Sequence, residues 1–333
     1  MAEAFKKYLC LLICFAFINN LIKAKDENIH KLVIIGSGPS GLTAAICACR
    51  SQLKPVVIEG DYPGGQLARA GYIKNWPNLK SVLGLELSKN IRERAEQLGT
   101  KFIPGSVTKV DFSKKPFSLV VDSTEIIVAN SVIIATGAKP TKLGCPGEEE
   151  YLGKGVAVCA TCDAPLFKNK SIVVIGENYF ALREIDLLTK FVNKISIINK
   201  NSDIYGPSKL VKKIKENPKI QIMNNCTALE IIGDGHWVTS LTVLNNNKLE
   251  DIPTQGVFVA IGWEPDSEIF RNQLEFDSKN QIKVKNDTHT SVEGVFASGD
   301  VTTKARHQAI PASAFGHMAS MDAEEYLRKN KHI

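Results

Sequence analysis

Five consecutive residues, Cys159-Ala160-Thr161-Cys162-Asp163, carry the sharpest chemistry in the chain. Two cysteines separated by two residues can close a small disulfide ring, and an Asp directly after the second can exchange a proton with a departing thiolate. Thiol–disulfide exchange needs both: a thiolate that attacks and a leaving sulfur that is protonated. The same spacing is half of a zinc site, but no second Cys-x-x-Cys and no nearby His-x-x-x-His completes one. Cys10, Cys14, Cys47, Cys49, Cys145 and Cys226 are irregularly spaced, unlike a secreted disulfide framework. Cys47 and Cys49 fall in the apolar run Ala44 to Cys49 and read as helix packing residues.

The elements that must position this pair announce themselves on both sides. Lys31 to Ile35 reads as a buried parallel strand. It runs into Gly36-Ser37-Gly38-Pro39-Ser40-Gly41 and then a helix, Leu42 to Arg50. In such a turn Gly36 makes the bend, Gly38 lets the backbone touch a pyrophosphate, and Gly41 lets helix and strand pack closely; the phosphates rest on the helix N-terminus. The next strand, Pro55 to Ile58, ends in Glu59, 23 positions after Gly36, where an acid can hold the hydroxyls of an adenosine ribose. Gly64-Gly65-Gln66-Leu67 and Asn75-Trp76-Pro77 suit a loop running along a long cofactor. Phe102 to Phe117 alternates as antiparallel strands do, and a strand over Val132 to Ala135 ends in Thr136-Gly137, at an edge where doubly wound sheets hold ligands.

Beyond the cysteines the pattern repeats with defects. The strand Ser171 to Ile175 leads to Gly176-Glu177-Asn178-Tyr179-Phe180-Ala181, a helix over Leu182 to Phe191 and a strand over Ile195 to Ile198. Asn178 stands at the middle glycine and Glu177 brings a carboxylate beside a pyrophosphate position, which a dianion would avoid. The last strand ends in Asn199-Lys200-Asn201, with no arginine pair for a 2′-phosphate and no acid for a free ribose; Lys200 is a point charge rather than a fork. Near the C-terminus the strand Gly256 to Ile261 runs into Gly262. A further strand ends in Ser298-Gly299-Asp300, suited to a polyol hydroxyl, and Gln308-Ala309-Ile310 opens a helix to about Leu327, whose amides can stabilise negative charge on a reduced ring.

The 333 residues, 44% apolar and 23% charged, suffice for two ordinary domains. The net charge of +6 is thinly spread and not interleaved with aromatics, so no nucleic-acid partner is expected. Lys6 and Lys7 precede an apolar run, Tyr8 to Ile18, too short to span a bilayer but fitting a signal peptide with a cleavage site after Ala24. A cytoplasmic protein is expected, with export or membrane tethering through residues 1–24 as the alternative.

Together these motifs resemble the low-molecular-weight thioredoxin reductases from about His30 to Arg328. The resemblance implies an α/β fold of two Rossmann-like, three-layer domains, one inserted in the other: a discontinuous FAD domain over 30–140 and 266–333, and a nicotinamide-type domain over 141–265 carrying the redox pair. It implies a homodimer in which Cys162 faces the flavin, Cys159 attacks the partner disulfide and Asp163 is the acid–base group. FAD would be held by Gly36, Ser37, Gly38, Pro39, Ser40, Gly41, Glu59, Gly65, Gln66, Leu67, Asn75, Ala135, Thr136, Gly137, Gly299, Asp300, His307, Gln308 and Ala309. His307 stands where the family usually has arginine. The implied activity passes electrons through FAD and Cys159–Cys162 to a thioredoxin-like protein. NADPH is the family's donor, and its site is degenerate here; ferredoxin-linked relatives lack nicotinamide motifs in a similar way. A dithiol oxidase using oxygen and a non-enzymatic flavin-binding redox sensor are the other two readings.

Overall fold

The computed structural model describes residues 29–333; the signal-like segment 1–24 lies outside the described residues. The chain divides into two units. The first takes residues through Ala68, Glu86–Ala138 and Pro265–Ile333, and the second takes Arg69–Leu85 and Lys139–Glu264. The stretch 69–85, with Asn75, therefore groups with the inserted unit rather than with the outer one, where the sequence reading put it. Its two short strands, Tyr72–Ile73 and Val82–Leu83, pair only with each other.

The first unit is built on a sheet in which five strands run parallel: Lys101–Ile103, Val56–Ile58, Ile29–Ile35 and Glu125–Ile134 stand side by side, and Val295–Ala297 joins the last. Strand Glu125–Ile134 has ten residues and serves two partners besides Ile29–Ile35. Its first half pairs antiparallel with Phe117–Val121, and its last residues pair parallel with Val295–Ala297. Of the region read as antiparallel, Lys101–Ile103 instead joins the parallel set, and only Val107–Asp111 and Phe117–Val121 alternate in direction.

The apolar runs have a simple cause. In Ile29–Ile35, Val33 and Ile35 bury one face against Phe112, Phe117 and Phe270, while Leu32 and Ile34 bury the other against helices Pro39–Arg50 and Ala309–Lys329. A strand covered on both faces must be apolar at every position, and each such Val, Leu or Ile contributes roughly 1.5–3 kcal/mol. Those two helices cross closely. A Cβ on Gly316 would run into the carbonyl oxygen of Ser40.

The second unit repeats the plan with a five-stranded parallel sheet in the order Val156–Ala157, Val257–Val259, Ser171–Ile175, Lys194–Ile198, Ile220–Met223. Helix Tyr179–Leu188 covers one face through Leu182, Ile185 and Leu188. The antiparallel strands Cys226–Gly233, Val238–Asn245 and Lys248–Pro253 cover the other through Ile231, Leu241 and Val243. Among the described residues no helix is long and apolar enough to cross a membrane, and no side-chain cluster could hold a metal ion.

Candidate active site

Four parallel strands of the first unit end at one edge, and the residues that follow them meet there. Gly36 follows Ile35, Glu59 follows Ile58, Ala135 follows Ile134, and Ser298 follows Ala297. The Gly36 turn is seated from both sides: its N–H donates to the Ile58 carbonyl at 2.8 Å, and its φ of +105° turns the missing Cβ toward the Ala135 carbonyl oxygen. A Cβ on Gly41 would strike the Gly36 carbonyl, so helix Pro39–Arg50 can approach only as glycine allows. Gly38 differs from both. Nothing lies within 4 Å of where its Cβ would stand, and as N-cap it offers no side chain to the helix amides. The helix begins at Pro39, three residues before the expected start, because proline presets the first helical φ and has no N–H to satisfy.

The neighbours fix this cradle. Ser37 Oγ donates to the Glu59 carbonyl at 2.8 Å and accepts the Gly64 N–H at 3.1 Å. Ser40 and Ser298 hydroxyls lie 2.7 Å apart. Glu59 is buried, and Arg92 grips both its oxygens, Nε to Oε1 at 2.7 Å and Nη2 to Oε2 at 3.2 Å, while the guanidinium lies 4.2 Å above the Phe102 ring. Thr136 Oγ1 donates to the Asp266 carbonyl at 2.6 Å, and Gly137 adopts φ +75°. Asp300 Oδ1 accepts the N–H groups of Arg306 and His307 at 3.1 and 2.8 Å, so this acid first ties its own loop. His307 has φ +52°, and burial holds its imidazole below its ordinary pKa, against the nearby Asp300 carboxylate. Gln308 and Ala309 are the N-cap and first residue of the C-terminal helix. Leu67 is buried and Gln66 exposed, and the Gly65 backbone approaches Gly38. The structure thus sets Ser37 against Glu59, Gly36 against Ala135, Gly65 against Gly38, and Ser298 and Gly299 against Ser40; of the sequence-expected cofactor residues Asn75 alone belongs to the other unit.

In the second unit Cys159 and Cys162 form a disulfide, with Cα atoms 5.4 Å apart. Cys159 is the N-cap of the single turn Ala160–Asp163, and its sulfur accepts the Cys162 N–H at 3.3 Å. Asp163 is largely buried, and burial pushes its carboxyl up to about 6. A carboxyl raised this far keeps a protonated fraction near neutral pH that can donate to a leaving thiolate. Glu184, on helix Tyr179–Leu188, is pushed up to about 7 by burial, with a smaller contribution from Asp163 and a hydrogen bond from the Ala160 amide acting against it.

The Gly176 turn has the same backbone as the Gly36 turn but a different content. Asn178 Oδ1 accepts the N–H groups of Phe180 and Ala181 at 3.0 and 3.1 Å. This cap starts the helix at Tyr179, earlier than the expected Leu182; the helix ends at Leu188, short of the expected Phe191. Glu177 Oε1 accepts from Asn201 Nδ2 at 3.1 Å. Asn199 is fully buried, accepting the Asn201 N–H at 2.9 Å and donating to Asn224 Oδ1 at 2.8 Å.

The sequence profile of the pyridine nucleotide-disulphide oxidoreductases matches residues 30–317. A thioredoxin reductase of Buchnera aphidicola is 40% identical over 323 residues, covering 93% of this chain and 97% of that protein. The chain belongs to the thioredoxin reductase family. Among solved members, the thioredoxin reductase from Giardia duodenalis superposes with a TM-score of 0.83 at 34% identity, covering 90% of this chain and 98% of that one. The enzyme from Streptococcus pyogenes gives 0.84 at 31%, covering 91% and 99%.

As a member of that family the protein is an oxidoreductase with flavoprotein-type Rossmann folds. Flavin and pyridine nucleotide use are general in the family, and the two turns fit a dinucleotide unequally. At Gly38 there is open space and a helix end uncapped by any side chain, which suits a pyrophosphate. At Asn178 the same amides are already taken, and the residues present do not fit that group in the same way. Two members of the sites gave no signal in the sequence. Arg92 and Glu184 each sit within a helix, outside any motif, and only the fold brings them to Glu59 and to the redox turn.

Proposed function

We propose that this thioredoxin reductase family member is an FAD-dependent disulfide reductase acting on a thioredoxin-like protein. The observation that carries the reading is the Cys159–Cys162 disulfide with a largely buried Asp163, its carboxyl raised to about 6, directly behind it. FAD would be held by the Gly36–Gly41 turn, Glu59, Gly65–Leu67, Ala135–Gly137, Ser298–Asp300 and His307–Ala309, and when bound would supply the two-electron store that reduces the disulfide. In the dithiol form the Cys159 thiolate attacks the partner disulfide, forming a mixed disulfide, and the released partner sulfur takes a proton from Asp163. The Cys162 thiol then gives its proton to Asp163 and attacks Cys159, re-forming the internal disulfide, and Asp163 protonates the departing second partner sulfur. Electrons and protons both move in twos. The assembly is a homodimer by family resemblance, and the location is cytoplasmic unless residues 1–24 direct the chain elsewhere.

The family's donor is NADPH. The side-chain cap at Asn178 and the Asn199–Asn201 turn favour weak use of it, with reduced ferredoxin as the second reading of the donor. The test is anaerobic bleaching of the flavin absorbance of the purified full chain by NADPH, NADH, reduced ferredoxin or a dithiol. Slow bleaching by NADPH with fast turnover on ferredoxin supports the second donor; rapid bleaching by micromolar NADPH removes it. Bleaching by dithiol alone, with oxygen restoring the colour, replaces the reductase with an oxidase. Cys162→Ser is expected to keep FAD and lose thioredoxin reduction.

A further inference from the structure

A carboxylate that holds a ribose diol beside a pyrophosphate meets two demands: its oxygens need a fixed plane, and its charge must not repel the phosphates. The Glu59 backbone is fixed by its neighbours. Its N–H donates to the Ile103 carbonyl at 3.0 Å, and its carbonyl accepts Ser37 Oγ of the glycine turn at 2.8 Å. The residue is 8% exposed, where a carboxylate without a cation would be costly. Arg92, on helix Gly84–Gln97, answers both demands. Its Nε donates to Oε1 at 2.7 Å and its Nη2 to Oε2 at 3.2 Å, so the two bonds come from one edge of a planar fork. A carboxylate has about four acceptor positions, of which the fork uses one on each oxygen and leaves another. The fork is held in turn. Nη1 donates to Glu96 Oε2 at 3.2 Å, and the guanidinium lies 4.2 Å from the centre of the Phe102 ring. The acid of the second turn, Glu177, has instead the neutral Asn201 amide at 3.1 Å, which leaves its charge in place.

We propose that Arg92 is a positioning residue of the dinucleotide site: acting through Glu59, it orients and neutralises the carboxylate that takes the adenosine ribose, and so sets the preference for FAD over flavin mononucleotide (FMN). This inference rests on the FAD reading above. Without the fork the Glu59 carboxylate is free to rotate about its last bond, and its charge stands uncompensated beside the Gly36 turn, to which Ser37 ties it. Lysine at this place would return the charge but not the plane, because an ammonium is a point donor. The flavin half of the ligand is spared. Ala135–Gly137, Ser298–Asp300 and His307–Ala309, the segments assigned to it, share no hydrogen bond with Arg92, whose bonds go to Glu59 and Glu96.

The test uses the full chain freed of flavin, as wild type, Arg92→Lys and Arg92→Gln, titrated with FAD, with ADP as the adenosine half and with FMN as the flavin half. Melting temperature reports folding. Arg92→Lys is expected to bind FAD and ADP about ten-fold more weakly and Arg92→Gln, which loses charge and fork together, about 100-fold, while FMN moves less than about two-fold in either. A partly unfolded variant lowers all three affinities together, so the ratio of FAD to FMN affinity isolates the adenosine end. Glu59→Gln checks the route: in that background, adding Arg92→Lys should weaken FAD by less than about two-fold, since coupled residues do not add. Unchanged FAD or ADP affinity in both Arg92 variants, FMN lost as fully as FAD, or the whole ten-fold loss repeated on top of Glu59→Gln would each overturn the proposal. A wild-type chain that takes up no FAD would overturn the FAD reading instead.

Discussion

At the turn after Ile35 the helix amides face open space; at the turn after Ile175 a single Asn side chain has accepted two of them. The backbones are alike. Gly36 and Gly176 both have positive φ, and each would drive a Cβ into a carbonyl of a neighbouring strand end, Ala135 or Ala260. Both helices have small residues, Gly41 and Ala181, packed against their turns. What separates them is who satisfies the helix end. Orphan N–H groups need an acceptor, and where the chain provides one the helix is stabilised by about 1 kcal/mol without a ligand. Where it does not, the same groups are a standing anion site. A nucleotide fold can therefore survive as architecture after its ligand chemistry has been closed from within.

The comparison breaks hardest at Gly41. Gly41→Val forces two branches against the Gly36 carbonyl and is expected to cost more than about 4 kcal/mol, with loss of flavin, read by thermal unfolding and absorbance. Retention of flavin with an unchanged melting temperature would show that the two elements are not as tightly opposed as the geometry demands. Copying the second turn into the first is subtler. Gly38→Asn has room for its side chain, so the fold should survive, but Oδ1 would compete for the helix amides and fill the cradle. FAD affinity is expected to fall about 100-fold, or about 2.7 kcal/mol, measured by flavin titration of the apoprotein. Equal affinity would mean that the cap, the core of the contrast, does not exclude a dinucleotide.

The acids of the two units contrast in the same sense. Glu59 has the Arg92 guanidinium on both oxygens, whereas the carboxyls of Asp163 and Glu184 are both raised chiefly by burial. Asp163 is raised from 3.8 to about 6, so the folded state binds the proton more tightly than the unfolded chain. Its favourable contribution is complete below about pH 4 and is lost as pH rises through 6. Glu184, raised from 4.5 to about 7, acts in the same direction over a higher window. Asp163→Asn should remove the lower part of this slope and stabilise the protein at pH 8 by roughly 2 kcal/mol relative to wild type, while lowering thioredoxin reduction. Denaturant titrations at pH 5 and pH 8 read it; a variant that keeps the whole slope would place the titration elsewhere.

Much of this was legible in the chain, for identifiable reasons. Strands such as Leu32–Ile35 and Ile172–Ile175 are apolar at every position because both faces are covered, and that run needs no partner to be recognised. Gly36, Gly38 and Gly41 are fixed by spacing, and the cysteine pair by adjacency. The defects at Glu177 and Asn178 were visible too, but not how they act. Glu177 was read as a repelling carboxylate, yet it accepts from Asn201, and Asn178 matters less for its Cβ than for its Oδ1. Arg92 and Glu184 left no trace, since a charged residue within a helix normally faces solvent and only tertiary packing decides otherwise. Hairpin 72–83 misled the domain boundary because strands of two residues carry no period.

The smallest effect is the most direct probe of the contrast. Asn178→Gly removes the cap and recreates the middle glycine of the first turn. Replacing an Asn cap by Gly costs only a few tenths of a kcal/mol, so the helix should persist and the melting temperature barely move. The amides of Phe180 and Ala181 would then lack a protein acceptor and become available to a pyrophosphate. NADPH is expected to bleach the flavin with an apparent KM about ten-fold lower than in wild type, a gain of about 1.4 kcal/mol, whereas reduction by a dithiol, which does not use that turn, stays the same. The gain is bounded because Asn199 and Asn201 still offer no fork to a 2′-phosphate. Adding Asn201→Arg should extend it for NADPH and not for NADH. If Asn178→Gly leaves NADPH use untouched while Asn201→Arg alone restores it, the obstacle lies at the ribose end, and the two turns differ less than their caps suggest.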